Sequence, residues 1–198
     1  MSASTDRYGT RAPFGWFLAG YGGVAGFLIL EGTVRNRGRA SALDASEDDR
    51  GSTRRIAIGY LGSALLAPML RRIGPTSLPR VSGPLGLTLQ TAGLSIRIWS
   101  MRSLAESYSR TLRVTDEQTV NESGPYRFVR HPGYLGSLLI WTGFSLTSGS
   151  VSVVGLVSGW LIPAYRQRIS AGESLLRRDL PGYEDYAGRV KMFIPGIW

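Results

Sequence analysis

The sequence predicts an all-α integral membrane protein with about five transmembrane helices and a helical carboxyl-terminal tail. Three observations support this fold class. Apolar residues are gathered into five blocks between polar connectors. Asp and Glu are absent from every block, as a hydrocarbon environment requires. The basic residues, almost all of them arginine, are concentrated in alternate connectors, which is the charge distribution of a multi-spanning membrane protein.

The five apolar blocks are interpreted as successive transmembrane helices. In chain order they cover residues 14–30, 56–70, 81–96, 133–147 and 151–164. No small-residue cleavage site follows the first block, so a retained span is favoured over a signal peptide. Only Ser148-Gly149-Ser150 separates the last two blocks, and so short a link predicts an antiparallel helical pair.

The polar segments carry weaker local signals. The connector 31–55 contains a cluster of acids between arginines and is expected to be flexible; these acids are Asp44, Glu47, Asp48 and Asp49. Runs at 111–114 and 118–120 are compatible with a small hairpin. The tail shows a helical pattern through Leu176 and a break at Pro181-Gly182. The chain is therefore divided into a polar tail (1–13), three helices with connectors (14–99) and a carboxyl-terminal region (100–198).

Arginine placement sets the predicted orientation. With the amino terminus outside, the three cytosolic segments contain eighteen Arg and Lys residues, against five in the two outer segments. Each block is shorter than the roughly 20 residues that usually span a bilayer, so length alone equally allows a soluble protein of buried helices. The positive-inside bias favours the membrane. An arginine-rich, Gly/Ala-rich composition further indicates a bacterial cell membrane.

Composition also disfavours several other classes. The net charge of +9 would suit a nucleic-acid binder, but the arginines are scattered between apolar blocks instead of gathered on one helix. Cysteine is absent, which excludes disulfides and thiolate metal sites. A single histidine, His131, without a cluster of acids around it in the sequence argues against a structural metal site.

The most informative stretch runs from Gly124 to Gly136 and contains that histidine. Gly124-Pro125 marks a turn, and Pro132 suits the first position of a helix. We therefore predict a loop ending at Arg130-His131 and a helix from Pro132 through Trp141, whose start offers backbone N–H groups to an anionic or electron-rich ligand.

On the predicted topology this loop lies beside the tail, which brings His131 and the two loop arginines, Arg127 and Arg130, near Arg168 and Glu173. A ligand with both a carboxylate and an ammonium group would suit that set, and so would a cationic cofactor contacting the rings of Tyr126 and Tyr134. Each residue also has an ordinary interpretation: His131 as a helix cap, the arginines as membrane anchors, and Glu173 as a surface ion-pair partner.

At this point the residues resemble a known family. The pattern Gly-Pro-Tyr-x-x-x-Arg-His-Pro-x-Tyr-x-Gly before two apolar blocks is similar to the isoprenylcysteine carboxyl methyltransferase and phospholipid methyltransferase superfamily. Further matches follow in the expected order: Arg168, Glu173, Leu176, Gly182-Tyr183-x-x-Tyr186 and Ile194-Pro195. Upstream, Gly93-Leu94-x-x-Arg97-Ile98-Trp99 also resembles that family, so that the likeness covers roughly residues 85–198.

The resemblance implies an integral membrane enzyme that transfers a methyl group from S-adenosylmethionine. It implies that the cofactor site is lined by Tyr126 and the run His131, Pro132, Gly133, Tyr134, Leu135 and Gly136. Glu173 would hold the cofactor's ammonium group and Arg168 a substrate carboxylate. The family usually has two adjacent acids at this point, whereas this chain has Gly172 before Glu173.

The implied partners are the lipid bilayer and a lipophilic methyl acceptor. An isoprenylcysteine-type carboxylate is favoured, because it is already ionised at neutral pH and an arginine can hold it. A phospholipid amine and a small thiol stay open as acceptors. Two other classes also stay open: a membrane reductase with a nicotinamide cofactor, and a membrane scaffold without enzymatic activity.

Overall fold

A computed structural model describes residues 12–35, 49–74, 77–104 and 119–193. These ranges contain six α-helices, a 3₁₀ turn at Gly124–Arg127 and isolated bridges without extended strands. The helices are α1 (Phe14–Arg35), α2 (Ser52–Ile73), α3 (Ser82–Leu104), α4 (Pro132–Thr147), α5 (Val151–Asp179) and α6 (Tyr183–Arg189). The predicted all-α class is confirmed. The possible hairpin at 111–120 and most of the connector 31–55 lie outside the described residues.

The helices run past the apolar blocks from which they were predicted. Each of α1, α2 and α3 extends by several residues into polar sequence, and α5 continues without a break through Pro163 to Asp179. Arginine and glutamate are good helix formers, so the backbone continues where hydropathy falls. The predicted tail helix is therefore the second half of α5. The predicted break after it is confirmed, since Gly182 has a positive φ of 80° at the start of α6.

Two of the described helices, α1 over Phe14–Thr33 and α2, are long and apolar enough to cross a membrane. Only 22 % and 17 % of their apolar windows are buried inside the protein, whereas a core helix of a soluble protein is mostly buried. Many of their large apolar side chains are exposed, among them Leu28, Ile29, Leu61, Leu65 and Ile73. Such wide exposed apolar faces are typical of surfaces that meet lipid or a partner.

Helices α3 and α4 form the most extensive contact of the bundle. A Cβ atom on Gly93 would lie 2.5 Å from the carbonyl oxygen of Gly136, and one on Gly143 would lie 2.3 Å from that of Gly86. The two backbones therefore touch directly at two glycine pairs. Small residues at helix interfaces allow this close approach and are common in membrane bundles.

An aromatic core fills the space between α1, α2, α4 and α5. Tyr60 of α2 stacks on Trp141 of α4, with ring centroids 4.5 Å apart and an interplanar angle of 11°. Phe27 and Phe144 meet the same tryptophan edge-on. Offset-stacked and edge-to-face pairs of this kind stabilise a core beyond their buried area.

Polar contacts join the helices at both ends of the bundle. At one end Arg71 donates to the carbonyl oxygens of Ala12 and Ser148, so the start of α1, the end of α2 and the α4–α5 link lie together. At the other end Arg97 of α3 donates to Glu31 of α1 at 2.7 and 2.9 Å. The same guanidinium donates to the carbonyl oxygen of Gly133 at 2.8 Å, which fixes the first turn of α4.

The glycine contact predicts a steric cost for a single methyl group. Gly93→Ala should lower the free energy of unfolding in detergent by about 1–3 kcal/mol, because two backbones must separate to admit the Cβ. Gly155→Ala is the matched control, since no atom lies within 4 Å of that position on α5. The control should be neutral or stabilise by up to about 1 kcal/mol. Equal stabilities of the two variants, measured by denaturant titration, would contradict the close contact.

Candidate functional site

The predicted loop and helix start are confirmed. Gly124 has a positive φ of 56°, and a Cβ atom at this position would collide with Ser103 of α3. The 3₁₀ turn follows, His131 caps α4, and Pro132 is its first residue. Backbone hydrogen bonds attach this loop to the segment after α6, from the N–H of Arg130 to the carbonyl of Lys191 at 2.8 Å and from that of His131 to Met192 at 3.3 Å.

Glu173 of α5 is the centre of a buried polar cluster. Its Oε1 atom accepts hydrogen bonds from Nε2 of His131 at 2.7 Å, Nε of Arg130 at 3.0 Å and the hydroxyl of Tyr183 at 2.8 Å. Its Oε2 atom has longer contacts, 3.3 Å to Arg130 and 3.6 Å to Arg177. We call these five side chains the Glu173 cluster. It joins the loop, α5 and α6.

The Glu173 cluster holds its carboxyl group in the charged form. Burial opposes ionisation, but hydrogen bonds from His131 and Tyr183 and the charge of Arg130 lower the pKa of Glu173 to about 2. A carboxylate only accepts hydrogen bonds, so Nε2 of His131 must carry the proton between them. Burial and the neighbouring carboxylate raise the pKa of Tyr183 well above its ordinary value, which keeps its hydroxyl a donor.

Arg130 also fixes the end of α6. Its Nη1 donates to the carbonyl oxygens of Ala187 at 2.8 Å and Val190 at 2.6 Å. The last carbonyls of a helix lack intrahelical partners, and a cation there is favourable. One guanidinium thus satisfies both the helix end and the carboxylate of Glu173.

A second polar cluster surrounds Arg168, one turn and a half before Glu173 on α5. Arg168 is 4 % exposed. Its Nε donates to the hydroxyl of Tyr134 at 3.0 Å, and its Nη1 donates to Asp49 and, at 3.2 Å, to Thr53. Asp49 is fully buried and also accepts from the hydroxyl of Ser52 at 2.7 Å. We call these residues the Arg168 cluster.

Tyrosine and histidine rings connect the two clusters. The rings of His131 and Tyr134 are stacked, with centroids 5.6 Å apart and an interplanar angle of 18°. Because Tyr134 also accepts from Arg168, a continuous series of contacts runs from Glu173 through His131 and Tyr134 to Arg168. Together the two clusters place two carboxylates, three guanidiniums and the stacked rings of His131 and Tyr134 at one end of the bundle.

The structure brings together four of the predicted site residues, namely His131, Tyr134, Arg168 and Glu173. The others have mainly structural contacts. The carbonyl oxygen of Tyr126 accepts from Tyr186 at 2.7 Å, Pro132 is buried at the start of α4, and Leu135 is half-buried. The carbonyl oxygen of Gly133 accepts from Arg97, and Gly136 packs on α3. Their assignment to a cofactor site stays a prediction.

The sequence assigns no site role to several residues that the structure places in the clusters, among them Tyr183, Arg177 and Asp49. Arg130, one of the two loop arginines near the site, has a membrane anchor as its alternative interpretation. Arg130 and Tyr183 both belong to the motifs quoted above, so the sequence contains a signal for them. For Asp49 the sequence contains no such signal, because its partner Arg168 is 119 positions away.

The helices and the two clusters define a class of protein: a helical protein of membrane type with a charged, aromatic site at one end of its bundle. A family model for the isoprenylcysteine carboxyl methyltransferase (ICMT) family matches residues 86–178. A rice protein named "Probable protein-S-isoprenylcysteine O-methyltransferase" (Oryza sativa subsp. indica) is 30 % identical over 144 residues, covering 70 % of this chain and 71 % of the rice protein. The chain belongs to the isoprenylcysteine carboxyl methyltransferase family.

Two bacterial relatives carry names from metal resistance. The nickel-cobalt-cadmium resistance protein NccN of Alcaligenes xylosoxydans xylosoxydans is 28 % identical over 115 residues, and the cobalt-zinc-cadmium resistance protein CzcN of Cupriavidus metallidurans is 30 % identical over 115 residues. Each match covers 58 % of this chain and about half of the relative, 49 % and 48 % respectively. Within the described ranges, no three His, Cys, Asp or Glu side chains are grouped to hold a metal ion.

The low pKa of Glu173 predicts a pH-dependent stability. A carboxyl group with a pKa of about 2 in the folded state and 4.5 ordinarily stabilises the fold above pH 4.5 and loses that contribution as the pH falls towards 2. Glu173→Gln cannot titrate. The stability gap between wild type and Glu173→Gln should therefore be largest near neutral pH and shrink by as much as roughly 3 kcal/mol on acidification.

The measurement is denaturant unfolding of both proteins in detergent from pH 7 to pH 2.5. Other acids titrate in both proteins and cancel in the difference. A gap that stays constant, or that widens as the pH falls, would show that Glu173 is not held in its charged form.

Proposed function

We propose that this chain is an S-adenosylmethionine-dependent membrane methyltransferase that methylates the carboxylate of a lipophilic, isoprenylcysteine-type acceptor. The observation that carries the proposal is the buried, ionised carboxylate of Glu173, which is held by Arg130 and His131 of the Arg-His-Pro motif. The rings of His131 and Tyr134 connect this carboxylate to Arg168. Family membership supports it, and so does the rice relative's name. The chain spans about half the length of the metal-resistance relatives, so the activity of the whole protein is part of this proposal.

The residues of the Glu173 cluster fit the amino-acid end of the cofactor. That end carries an ammonium and a carboxylate group, and the cluster offers an ionised acid beside an arginine. Among the described residues, Oε2 of Glu173 has only long contacts, so it is the oxygen suited to an ammonium group. The stacked rings of His131 and Tyr134 provide aromatic faces for a sulfonium cation.

The cofactor, when bound, supplies a methyl group on a positively charged sulfur, which is an excellent leaving group. The protein then has little acid–base work to do. Glu173 and His131 would fix the donor end, and Arg168 would orient an acceptor carboxylate that is already ionised at neutral pH. The half-buried ring of Tyr134 and the buried ring of Tyr165 beside it limit the access of water, so that alignment in a largely dry site accounts for the rate.

We further propose five transmembrane spans, with α4 and α5 as an antiparallel pair and the site on the cytosolic side of a bacterial cell membrane. At 1.5 Å per residue, the 29 residues of α5 extend about 43 Å, beyond the roughly 30 Å hydrocarbon core. The part of α5 that extends beyond the hydrocarbon core is its carboxyl-terminal half, which carries Arg168 and Glu173. The arginine-rich connectors that predict the cytosolic side leave the bundle at this same end, beside Glu31 and Asp49.

A phospholipid amine or a thiol is the second candidate acceptor. A free arginine would repel a charged amine and attract a carboxylate. In the structure Arg168 is paired with Asp49, and the pair has no net charge. That observation weakens the argument against an amine and makes the acceptor an experimental question.

Cofactor binding is tested by calorimetry with S-adenosylhomocysteine. Wild type should bind it, and Glu173→Gln and His131→Ala should each weaken binding about tenfold or more, the usual loss when a charged hydrogen-bond partner is removed. Glu122→Gln is the matched control, because this acid forms an exposed ion pair with Arg189 at 2.8 Å. Wild-type affinity in all four proteins would overturn the assignment of these two residues.

The acceptor class is tested with radiolabelled S-adenosylmethionine offered in parallel with N-acetyl-S-farnesylcysteine, bacterial lipid extract and small thiols. The proposal expects label in the farnesylcysteine product as a base-labile methyl ester. Label in lipid amine or thioether products instead would show that the acceptor is a phospholipid amine or a thiol. Methyl transfer itself would still be supported.

A further inference from the structure

Asp49 occupies a position on Arg168 that the proposed function reserves for an acceptor carboxylate. Nη1 of Arg168 donates to Oδ1 of Asp49 and to the hydroxyls of Thr53 at 3.2 Å and Ser52 at 3.4 Å. An acceptor must therefore either share Arg168 with Asp49 or displace Asp49 from it. The two alternatives predict opposite effects of removing the charge of Asp49.

Asp49 is also built into the start of α2. Its carboxylate accepts from the hydroxyl of Ser52 at 2.7 Å, the backbone N–H of Thr53 at 3.2 Å and the hydroxyl of Thr53 at 3.0 Å. These contacts satisfy the first turn of the helix as an amino-terminal cap does. Displacing the fully buried Asp49 would leave these donors and the Arg168 guanidinium without this partner in a buried site, which is costly.

The backbone directly after Asp49 has an unusual conformation that also fixes the position of Asp49. Arg50 has a positive φ of 46° and Gly51 one of 74°. A non-glycine residue in the left-handed region is strained and persists where the surroundings fix it. The conformation of Arg50 is therefore unfavourable, and it is adopted together with the hydrogen bond between Asp49 and Arg168.

We propose that Asp49 is a positioning residue for the acceptor side of the site, holding Arg168 and, through it, Tyr134 in place. This inference rests on the proposed function and deepens it. Asp49 lies outside the family-matched region 86–178. The proposal therefore gives the connector before α2 a part in acceptor recognition. The acceptor shares Arg168 with Asp49 and does not replace it.

The test is a kinetic comparison of Asp49→Asn with wild type, using the full chain in lipid nanodiscs and N-acetyl-S-farnesylcysteine as the acceptor. Asparagine keeps the shape of the side chain and removes its charge. The acceptor KM should rise about tenfold or more, as expected for loss of a charged hydrogen bond. The affinity for S-adenosylhomocysteine should stay within about twofold of wild type, a split that a general loss of folded protein would not produce.

Asp179→Asn is the matched control, since Asp179 forms an exposed pair with Arg178 at the end of the same helix. It should leave the acceptor KM unchanged. Ser52→Ala and Thr53→Val remove single hydroxyls from the Arg168 cluster and should raise the acceptor KM by smaller factors. They keep the test decisive should Asp49→Asn fail to fold.

The outcomes separate this inference from the proposed function. A wild-type protein that neither binds S-adenosylhomocysteine nor transfers methyl groups would overturn both. An active wild type whose acceptor KM is unchanged in Asp49→Asn and the hydroxyl variants would overturn the inference alone. A lower acceptor KM in Asp49→Asn would also overturn it, because Asp49 would then compete with the acceptor for Arg168.

Discussion

The carboxylate of Glu173 is the constraint on which the site depends. A buried charge is tolerated only when it is paired and hydrogen-bonded. This one accepts its shortest hydrogen bonds from two other segments, Arg130 and His131 of the loop and Tyr183 of α6. Satisfying one ion therefore fixes the loop against α5 and folds the tail back onto it. The same contacts that stabilise this end of the protein assemble its chemistry.

The two clusters use buried charge in different ways. In the Glu173 cluster a single acid faces two arginines, an imidazole and a phenol, which leaves it ionised with only long contacts to its second oxygen. In the Arg168 cluster the guanidinium is matched by Asp49, with hydroxyls around both. Burial raises the pKa of an isolated acid, but hydrogen bonds from Ser52 and Thr53 and the charge of Arg168 lower the pKa of Asp49. The stacked rings of His131 and Tyr134 link the two clusters.

Much of this was predictable from sequence, for physical reasons. Uncharged blocks identified the helices, and Pro132 identified the start of α4 because proline suits a first helical position. The motifs brought His131 and Glu173 together. The apolar blocks end before the helices do. Hydropathy depends on the environment of the side chains, whereas the helix ends where its backbone hydrogen bonds end. The partner of Arg168 was missed because nothing local marks a contact between residues 119 positions apart. Gly136 contacts the backbone of α3, a packing role that the sequence does not reveal, and its place in a cofactor site stays a prediction.

The bond between Arg97 and Glu31 has a consequence for how the chain can be shortened. The region shared with the family model begins at residue 86 and so includes Arg97 but not Glu31. A minimal fragment cut at that boundary would bring Arg97 into the bundle interior without Glu31, and breaking a buried ion pair costs roughly 3–5 kcal/mol. The first helix therefore supplies a counter-charge to the region shared with the family model. In a form without that helix, an uncharged side chain in place of Arg97 should reduce the cost.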